Sequence, residues 1–535
     1  MRIFSFSYDK INLEVILLKV IDVNDVGKLI KDNDMVLISG SGGSGSPESL
    51  IKAVRDSYIN TGHPKNIGVS CGISPGNLTT DEVGMNMLAK DGLVGKAICA
   101  HLGQGKVFGN AIGENKFPAF AVPLGVINHL YRAMAGKEVG IITHVGLNTF
   151  ADPRIEGCCA NKKAKELDPI VELVNIGGKE NLFYKSFNAN VALLKASYAD
   201  TLGNISLEEE AVIGEQYNMA IATHNNGGIV IVEVKDIKKE GSFKARNVLI
   251  NSTYVDYVVV SKPDLSLAPY NLPVYMPEVT GDKRIKLSNI EIRPLDERKV
   301  CGRRAFLELK EDDVINLGVG MPDSVGNVAA EEGFSEKIHL SVESGTTGGV
   351  PTGGVAFGAT VNPDSVISTA QQFDAYNGGA LDMCVVGLAE VDKDGNVNVS
   401  KFGTRVTGPG GFINITQNTK KVVFIGTFMA SNLEEVIRDG KLIINHEGEK
   451  KKFVDKVEQI TFSAKEAVKN NQEVLYITER CVFKLTNNGI MLIEIAPGVT
   501  LEKDILANME FKPLISEDLK LMEPKIFIDE KMNLK

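Results

Sequence analysis

The feature that most constrains the fold is a repeat, because one order of elements occurs twice along the 535-residue chain. Residues 29–50, LIKDNDMVLISGSGGSGSPESL, predict a helix end, a polar turn, a buried strand, a glycine turn and a new helix. Residues 307–333, LELKEDDVINLGVGMPDSVGNVAAEEG, predict the same elements in the same order. Since a single hydrophobic core stops growing well below this chain length, the repeat predicts two domains of similar fold.

A second pair of segments supports the repeat. Residues 191–210, VALLKASYADTLGNISLEEE, and residues 383–403, MCVVGLAEVDKDGNVNVSKFG, both predict a strand, an acidic residue, a Gly-Asn turn and another strand. The period is far too long for a solenoid. The sequence therefore predicts two homologous open α/β domains, at 1–280 and 300–535, each with a mainly parallel sheet flanked by helices. The joint between them, within residues 275–299, is rich in charge and carries two prolines.

Composition narrows the class of protein. The formal net charge of -10 and the sequence pI of about 5.5 argue against a nucleic-acid partner. Seven cysteines are scattered without a C-x-x-C spacing, which predicts a reducing, cytoplasmic location. Adjacent Cys158 and Cys159 have no nearby histidine or further cysteine, so two small buried or loop side chains are favoured over a metal or redox site. The N-terminal run VILLKVI is broken by Lys19 and is far shorter than a membrane span, so no membrane partner is expected.

Residues 39–47, SGSGGSGSP, form the first of several glycine-rich turns. They follow a predicted strand and open a helix, as a dinucleotide-binding turn does. The acidic residue that should close the next strand is missing, because Asp56 falls within a predicted helix, and the lysine of a nucleotide-triphosphate loop is absent as well. The narrower interpretation is that free backbone N–H groups here suit an anion or a thioester oxygen.

The second half contains three more glycine loops. Residues 316–322, NLGVGMP, residues 341–354, SVESGTTGGVPTGG, and residues 408–411, GPGG, each lie beside a predicted strand. The last loop precedes FINI, whose alternation predicts a strand over 412–415. Ligands of α/β proteins bind at the carboxyl edge of the sheet, so the three loops predict one crevice there.

Glu343 is the lone acid of the second of these loops. Three uses of its carboxylate are open: a structural cap or ion pair, a metal ligand, or a nucleophile. The stretch offers no second acid or histidine for a metal. A nucleophilic carboxylate needs an electrophile more reactive than an amide, such as a thioester, and N–H groups that stabilise the oxyanion, which the glycine turns can supply.

These motifs resemble those of a known family. SVESG followed by GGVPTGG resembles the active-site signature of the class I (family I) coenzyme A transferases. HLGQGKVFGNAIGENK at 101–116 and THVGLNTFADPR at 143–154 resemble the family's α-part. NLGVGMP, FDAYNGGALDM and GPGGFINITQNTKKVVFIGTF resemble its β-part, so the resemblance covers essentially the whole chain. The fused arrangement is similar to the acetate or propionate CoA-transferases.

The resemblance implies a role for each matching residue. Glu343 is the implied nucleophile and carries CoA covalently during turnover, so no metal or organic cofactor is implied. Gly410 and Gly411 are the implied oxyanion donors, and Gln104 is the implied residue at the acyl end, although a loop amide bonded to its own backbone is an open alternative. The remaining implied positions are the CoA-binding Gly318, Gly320, Met321 and Pro322 and, as weaker site-lining residues, Asn362 and Phe373.

The implied reaction transfers CoA from a short-chain acyl-CoA to a carboxylate such as acetate, by ping-pong catalysis. A pocket open to water would instead give an acyl-CoA hydrolase, and an inert Glu343 would leave a CoA-binding or sugar-phosphate-binding sensor. The family's habits imply a homo-oligomer. Leu124 stands where relatives tend to have a glutamine, a departure that bears on acyl specificity and not on the nucleophile.

Overall fold

The computed structural model describes residues 18–76, 80–261, 275–286, 293–352 and 358–535. The predicted joint falls partly outside these ranges. Strands β1 to β14 of the N-terminal half (1–280) are Met35–Ile38, Ile67–Ile73, Val94–His101, Ala119–Ala121, Gly140–Thr143, Val171–Ile176, Lys179–Lys185, Val191–Lys195, Tyr198–Asp200, Ile205–Ser206, Ile229–Val234, Asp236–Lys238, Val248–Ile250 and Tyr257–Val260.

A seven-stranded sheet in the order β14-β11-β8-β1-β2-β3-β4 forms the centre of the N-terminal half. Its neighbouring strands are all parallel. All four residues of β1 and all seven of β2 are buried, as expected of strands covered on both faces. The helices are α1 to α5, at Val26–Leu29, Glu48–Thr61, Lys106–Gly113, Leu124–Ala135 and Gln216–Asn225.

The C-terminal half (300–535) contains strands β15 to β35. Helices α6 to α11 follow α5 along the chain, and the first of them, α6, lies in the joint. The strands are Val314–Leu317, His339–Ser341, Thr346–Thr347, Val350–Pro351, Thr360–Val361, Ser365–Val366, Met383–Gly387, Glu390–Asp392, Val397–Asn398, Lys401–Phe402, Arg405–Val406, Lys421–Ile425, Met429–Ala430, Glu434–Arg438, Lys441–His446, Lys450–Lys451, Phe453–Val454, Glu473–Ile477, Cys481–Thr486, Gly489–Ile495 and Leu514–Leu521. The helices are Pro277–Thr280, Glu297–Phe306, Asp323–Glu332, Thr369–Asn377, Phe412–Asn418 and Ala464–Lys469.

The two halves share a five-stranded parallel core, which confirms the predicted fold class. The larger sheet of the C-terminal half has the order β20-β17-β16-β15-β21-β26-β32-β33-β34-β35. Its central strands β16-β15-β21-β26-β32 are parallel, and they follow the order of β2-β1-β8-β11-β14 in the first half. Both sheets lie within the predicted ranges 1–280 and 300–535, which as domain limits stay a prediction.

The repeated Gly-Asn turns have the same hydrogen bonds in both halves. Asp200 accepts from the backbone N–H groups of Leu202 and Asn204 and from the Asn204 side chain. Asp392 does the same with Asp394 and Asn396. A short acidic side chain that bonds its own backbone two and four residues on fixes such a turn.

The halves are joined by a continuous apolar core. Strand β26 shows how, because Val422 and Phe424 enter a cluster that extends through the N-terminal half, whereas Val423 and Ile425 enter a separate cluster. This alternation follows from the two-residue period of a strand. Among the described residues, no helix is both long and apolar enough to cross a membrane.

The prediction of a strand at 412–415 is wrong. These residues begin helix α10, with Gly411 at its N-cap, and Ile413–Gln417 are all buried. Asn414 and Gln417 accept hydrogen bonds from backbone N–H groups of the other half, at Gly125 and Gly146. Contacts between the halves thus override the local preference of the β-branched residues.

Candidate active site

Glu343 lies in a tight turn directly after β16. The turn is closed by a hydrogen bond from the Gly345 N–H to the Val342 carbonyl, 3.0 Å long, and Gly345 has a φ of 111°, which only glycine adopts without strain. The side chain is buried and contacts the loop 408–411. A Cβ added to Gly411 would overlap Glu343 Oε2 and would lie 3.0 Å from its Cδ. Glycine at 411 is therefore what gives the carboxylate its place.

Burial raises the pKa of Glu343 to about 7, and a hydrogen bond from the Gly411 N–H opposes this rise. A carboxylate that served as a structural ion pair would have its pKa lowered by a basic partner. Among the described residues, Glu343 forms no ion pair. Burial thus disfavours the charged form of Glu343, and its ionised form is a poorly solvated anion and therefore a strong nucleophile.

A cleft of about 280 Å³ contains Glu343 and is lined by both halves. The N-terminal half contributes Ile73, His101 and Gln104 from the carboxyl ends of β2 and β3. The C-terminal half contributes its sheet edge and the glycine loops. Five of the predicted site residues are brought together here, namely Glu343, Gln104, Gly318, Gly410 and Gly411.

The two glycine amides predicted as oxyanion donors both have partners. The N–H of Gly410 donates to the Ala100 carbonyl at 3.2 Å, and its carbonyl accepts from the Leu124 N–H at 2.8 Å. The N–H of Gly411 donates to Glu343 itself. These bonds tie the loop 408–411 to the N-terminal half on one side and to the carboxylate on the other.

Gln104 packs against the first glycine turn. A Cβ on Gly42 would lie 3.1 Å from both Oε1 and Nε2 of Gln104, and Gly42 has a φ of 61°. A side chain there would displace the amide as well as strain the backbone. The turn predicted to suit an anion therefore supports a residue that lines the cleft.

Comparison with known proteins gives the family. Residues 23–261 match the family described as Coenzyme A transferase. The chain is 45% identical over 517 residues to the caffeate CoA-transferase of Acetobacterium woodii, across 96% of this chain and 98% of that protein. It is 40% identical over 515 residues to the acetate CoA-transferase YdiF of Escherichia coli O157:H7, across 96% of each. The chain belongs to the coenzyme A transferase family.

A solved structure of a coenzyme A transferase has the same fold. The crystal structure of the YdiF apoenzyme from Escherichia coli O157:H7 superposes with a TM-score of 0.92 and 38% identity, covering 98% of this chain and 99% of that chain. A second structure of the same protein, described as a thioester complex with CoA, gives a TM-score of 0.91. This chain is thus a CoA-transferase, an enzyme that moves CoA between an acyl-CoA and a carboxylate.

Three residues predicted to bind CoA in this coenzyme A transferase lie just beyond the cleft lining. Gly320, Met321 and Pro322 complete the turn from β15 into α8, past Gly318. Gly320 has a φ of 90° and its N–H donates to the Asp323 carboxylate at 3.2 Å. A Cβ on Gly320 would meet nothing within 4 Å, so this part of the turn is open.

The two weaker candidates lie elsewhere in the transferase. Asn362 forms two hydrogen bonds with the Ile285 backbone, of 2.9 and 2.8 Å, and so holds the joint between the halves. Phe373 is completely buried in α9, with its ring centroid 5.8 Å from that of Tyr376. Neither side chain is among the residues that line the cleft.

Sequence reasoning missed two polar residues of the cleft, His101 and Asn316, although both stand in motifs already noted. Asn316 Nδ2 donates to the Ser341 carbonyl and to the Tyr376 hydroxyl, each at 3.2 Å. A further buried glutamate, Glu215, was also missed. Burial raises its pKa to about 7, but it is not among the residues that line the cleft.

Cys158 is buried and Cys159 is half-buried, and no group of metal-ligating side chains is found within the described ranges. Burial raises the pKa of both thiols. They are small packed side chains.

Proposed function

We propose that this protein transfers CoA from a short-chain acyl-CoA to a carboxylate such as acetate, by ping-pong catalysis on Glu343. One observation carries the proposal: the buried carboxylate of Glu343, which has no ion-pair partner among the described residues, lies in a cleft lined by both halves, against Gly411, where an added Cβ would displace it. The thioester complex described for the Escherichia coli relative supports a covalent step.

The proposed first half-reaction has two steps. A carboxylate oxygen of Glu343 attacks the thioester carbonyl carbon, the C–S bond breaks, and CoA departs as the thiolate. An acyl–glutamyl anhydride remains on the protein. The thiolate then attacks Cδ of Glu343, which forms the glutamyl-CoA thioester and releases the acyl group as a carboxylate. An incoming carboxylate reverses both steps and leaves as the new acyl-CoA.

The energetics of this scheme require no additional reagent. One thioester is exchanged for another of similar energy, so neither ATP, a metal nor an organic cofactor enters the balance. Contacts to the distant parts of CoA can offset the cost of the anhydride, because binding energy away from the reacting atoms is available for such steps. CoA is therefore a substrate that the protein carries covalently, and not a resident cofactor.

The acyl specificity is proposed at the level of class. The two relatives described above are named for caffeate and for acetate, and their identities to this chain, 45% and 40%, are similar. Short-chain acids differ by single methylenes, each worth only about 1–3 kcal/mol in an apolar pocket. Acetate and other short-chain carboxylates are the proposed acceptors, and an aromatic propenoate such as caffeate is the alternative.

The location and assembly are also proposals. The cytoplasmic location rests on seven scattered cysteines, all of which are free thiols in the structure. The proposed homo-oligomeric state rests on the family's habits alone.

The test is the intact mass of the protein after incubation with propionyl-CoA. The wild type is expected to gain the mass of CoA less one water, and added acetate should discharge the adduct and yield acetyl-CoA. Glu343→Gln should form no adduct, while Glu215→Gln, which changes another buried glutamate, should form it. Competition among acetate, propionate, butyrate, lactate, acetoacetate and caffeate then ranks the acceptors.

Two results would contradict transfer. If water discharged the adduct as fast as acetate did, and no new acyl-CoA appeared, the protein would be an acyl-CoA hydrolase. If CoA bound but no adduct formed on the wild type, the protein would be a non-catalytic CoA-binding protein.

A further inference from the structure

His101 is a polar residue of the cleft that contains Glu343. It ends β3, and its ring packs along the loop that touches the nucleophile. A Cβ on Gly410 would lie 3.4 Å from His101 Cδ2, whereas a Cβ on the next residue, Gly411, would meet the Glu343 carboxylate. One residue of the loop therefore faces the imidazole, and its neighbour faces the nucleophile.

Nδ1 of His101 is buried and has no hydrogen-bond partner among the described residues. Two other histidines that are at least half-buried do have partners: His129 Nε2 bonds the Ala370 carbonyl at 3.1 Å, and His144 Nε2 bonds Asn418 Oδ1 at 2.9 Å. A buried polar group without a hydrogen-bond partner destabilises the folded protein. An imidazole nitrogen kept without a partner on the wall of a catalytic cleft points to a ligand that completes the bonding of the ring.

The protonation state of His101 determines which hydrogen bonds its ring can form. Burial lowers the pKa of His101 to about 4, with a smaller contribution from Arg405, so the ring carries one N–H at neutral pH. An orphaned buried N–H is rarer in proteins than an orphaned acceptor. We therefore assign the proton to Nε2, so that the buried Nδ1 keeps its lone pair.

Three other candidate donors of the cleft, at Gly410, Gly411 and Asn316, already have hydrogen-bond partners. The N–H of Gly410 is bonded to Ala100, and that of Gly411 is bonded to Glu343. The Asn316 amide donates to Ser341 and Tyr376. Of the polar side chains that line the cleft, Gln104 and His101 remain as donors, and Gln104 already has its predicted place at the acyl end.

We propose that His101 is a catalytic residue, whose Nε2–H donates a hydrogen bond to the carbonyl oxygen of the acyl group as Glu343 attacks. The inference rests on the proposed function, because this oxygen gains charge only in that attack. The electron pair of the C=O bond moves to the oxygen when the Glu343 oxygen bonds the carbon, and it returns when the C–S bond breaks. His101 loses no proton, because a neutral imidazole can polarise a carbonyl as a donor alone.

The experiment compares His101→Phe, which keeps a ring without N–H, with His101→Gln, which keeps an N–H donor. Loss of one oxyanion donor costs about 10²–10³-fold in rate. We expect His101→Phe to lower kcat/KM for propionyl-CoA by that factor, with CoA binding and the melting temperature unchanged, and His101→Gln to recover part of the rate. His224→Phe, the same exchange at a histidine that does not line the cleft, should leave the rate near that of the wild type.

The outcomes separate the two proposals. If the wild type forms no CoA adduct, both fall. If the wild type forms it and His101→Phe forms it as fast, only the role of His101 is overturned. Equal losses in both His101 variants, together with weaker CoA binding or a lower melting temperature, would show a structural role and would also overturn it. Should His101→Phe not fold, ¹⁵N NMR of the wild type decides, because a neutral ring with its proton on Nδ1 contradicts the proposal.

Discussion

The two halves have different residues at the position that carries Glu343 in the second half. In β1 and β2, Leu37 pairs with Ser70, and in β15 and β16, Asn316 pairs with Ser341. Leu37 and Asn316 are each the third residue of a four-residue strand. Two residues beyond the paired serines, the second half has Glu343 and the first half has Gly72.

The first half nevertheless has a buried acid at the equivalent place. A Cβ on Gly72 would lie 3.3 Å from Oε1 of Glu215, which approaches from the start of α5, and 3.0 Å from Leu124 Cδ1. Oε1 of Glu215 is buried and has no hydrogen-bond partner among the described residues. The same pair of parallel strands thus lies beside one buried glutamate in each half, but of these two only Glu343 lines the cleft. The strands are common to both halves, and the neighbouring loops determine which glutamate lies in the cleft.

Exchange of each acid for its amide gives the largest contrast between the halves. Glu343→Gln should lower kcat for CoA transfer by at least about 10⁴-fold, because removal of a nucleophile removes the covalent route. Glu215→Gln should keep kcat within about tenfold of the wild type, as expected of a residue that does not touch the reacting atoms. Steady-state assays with propionyl-CoA and acetate measure both values of kcat. Comparable losses in the two variants would contradict the assignment of the nucleophile to Glu343 alone.

Substitution of the glycine beside each glutamate, Gly411 beside Glu343 and Gly72 beside Glu215, gives the second contrast between the halves. Gly411→Ala would place a Cβ into Glu343 Oε2. It should reduce kcat about 10²-fold, the usual cost of a 1 Å displacement of a reacting group. Gly72→Ala would crowd Leu124 and should instead lower the free energy of unfolding by about 1–3 kcal/mol. Urea unfolding and steady-state kinetics on both variants check this, and a Gly72→Ala enzyme that is stable but inactive would contradict it.

The pH dependence of stability isolates Glu215. Its pKa is about 7 in the folded protein, and the ordinary value of 4.5 applies when unfolded. Between these values only the folded state holds the proton, so the free energy of unfolding falls as pH rises through this window, by about 3 kcal/mol in all. Glu215→Gln should remove this part of the slope, so that it gains stability relative to the wild type from pH 4.5 to pH 8. Parallel curves for the two proteins in urea unfolding would contradict the assignment.

The smallest difference between the halves is expected at the two Asp turns, where the losses of stability should be similar. Asp200→Ala and Asp392→Ala each remove three hydrogen bonds from equivalent turns, and both residues are 3% exposed. Asp392 also accepts a hydrogen bond from the Val457 N–H. Each should cost about 1–3 kcal/mol, because buried donors lose their partners. Urea unfolding measures both losses in the free energy of unfolding. A large difference between them would show that the two turns contribute differently to stability.

The sequence predicted whatever depended on local pattern. The strands at Met35–Ile38 and Val314–Leu317, the doubled Asp turns and the glycine-bordered Glu343 all follow from neighbouring residues. The helix at Phe412–Asn418 was missed because its polar side chains are held by the other half of the chain. Glu215 and His101 were missed for a related reason, since their surroundings are built from segments far apart in sequence, at Gly72 and at Gly410.

The apolar cluster that runs from the first half into β26 has a consequence for biosynthesis. Residues 1–280 emerge from the ribosome before their counterpart exists, with part of their core exposed to water. The nascent first half must therefore wait for the second before its interior is sealed. A gene cut within the joint should yield two polypeptides that remain soluble only when they are made together.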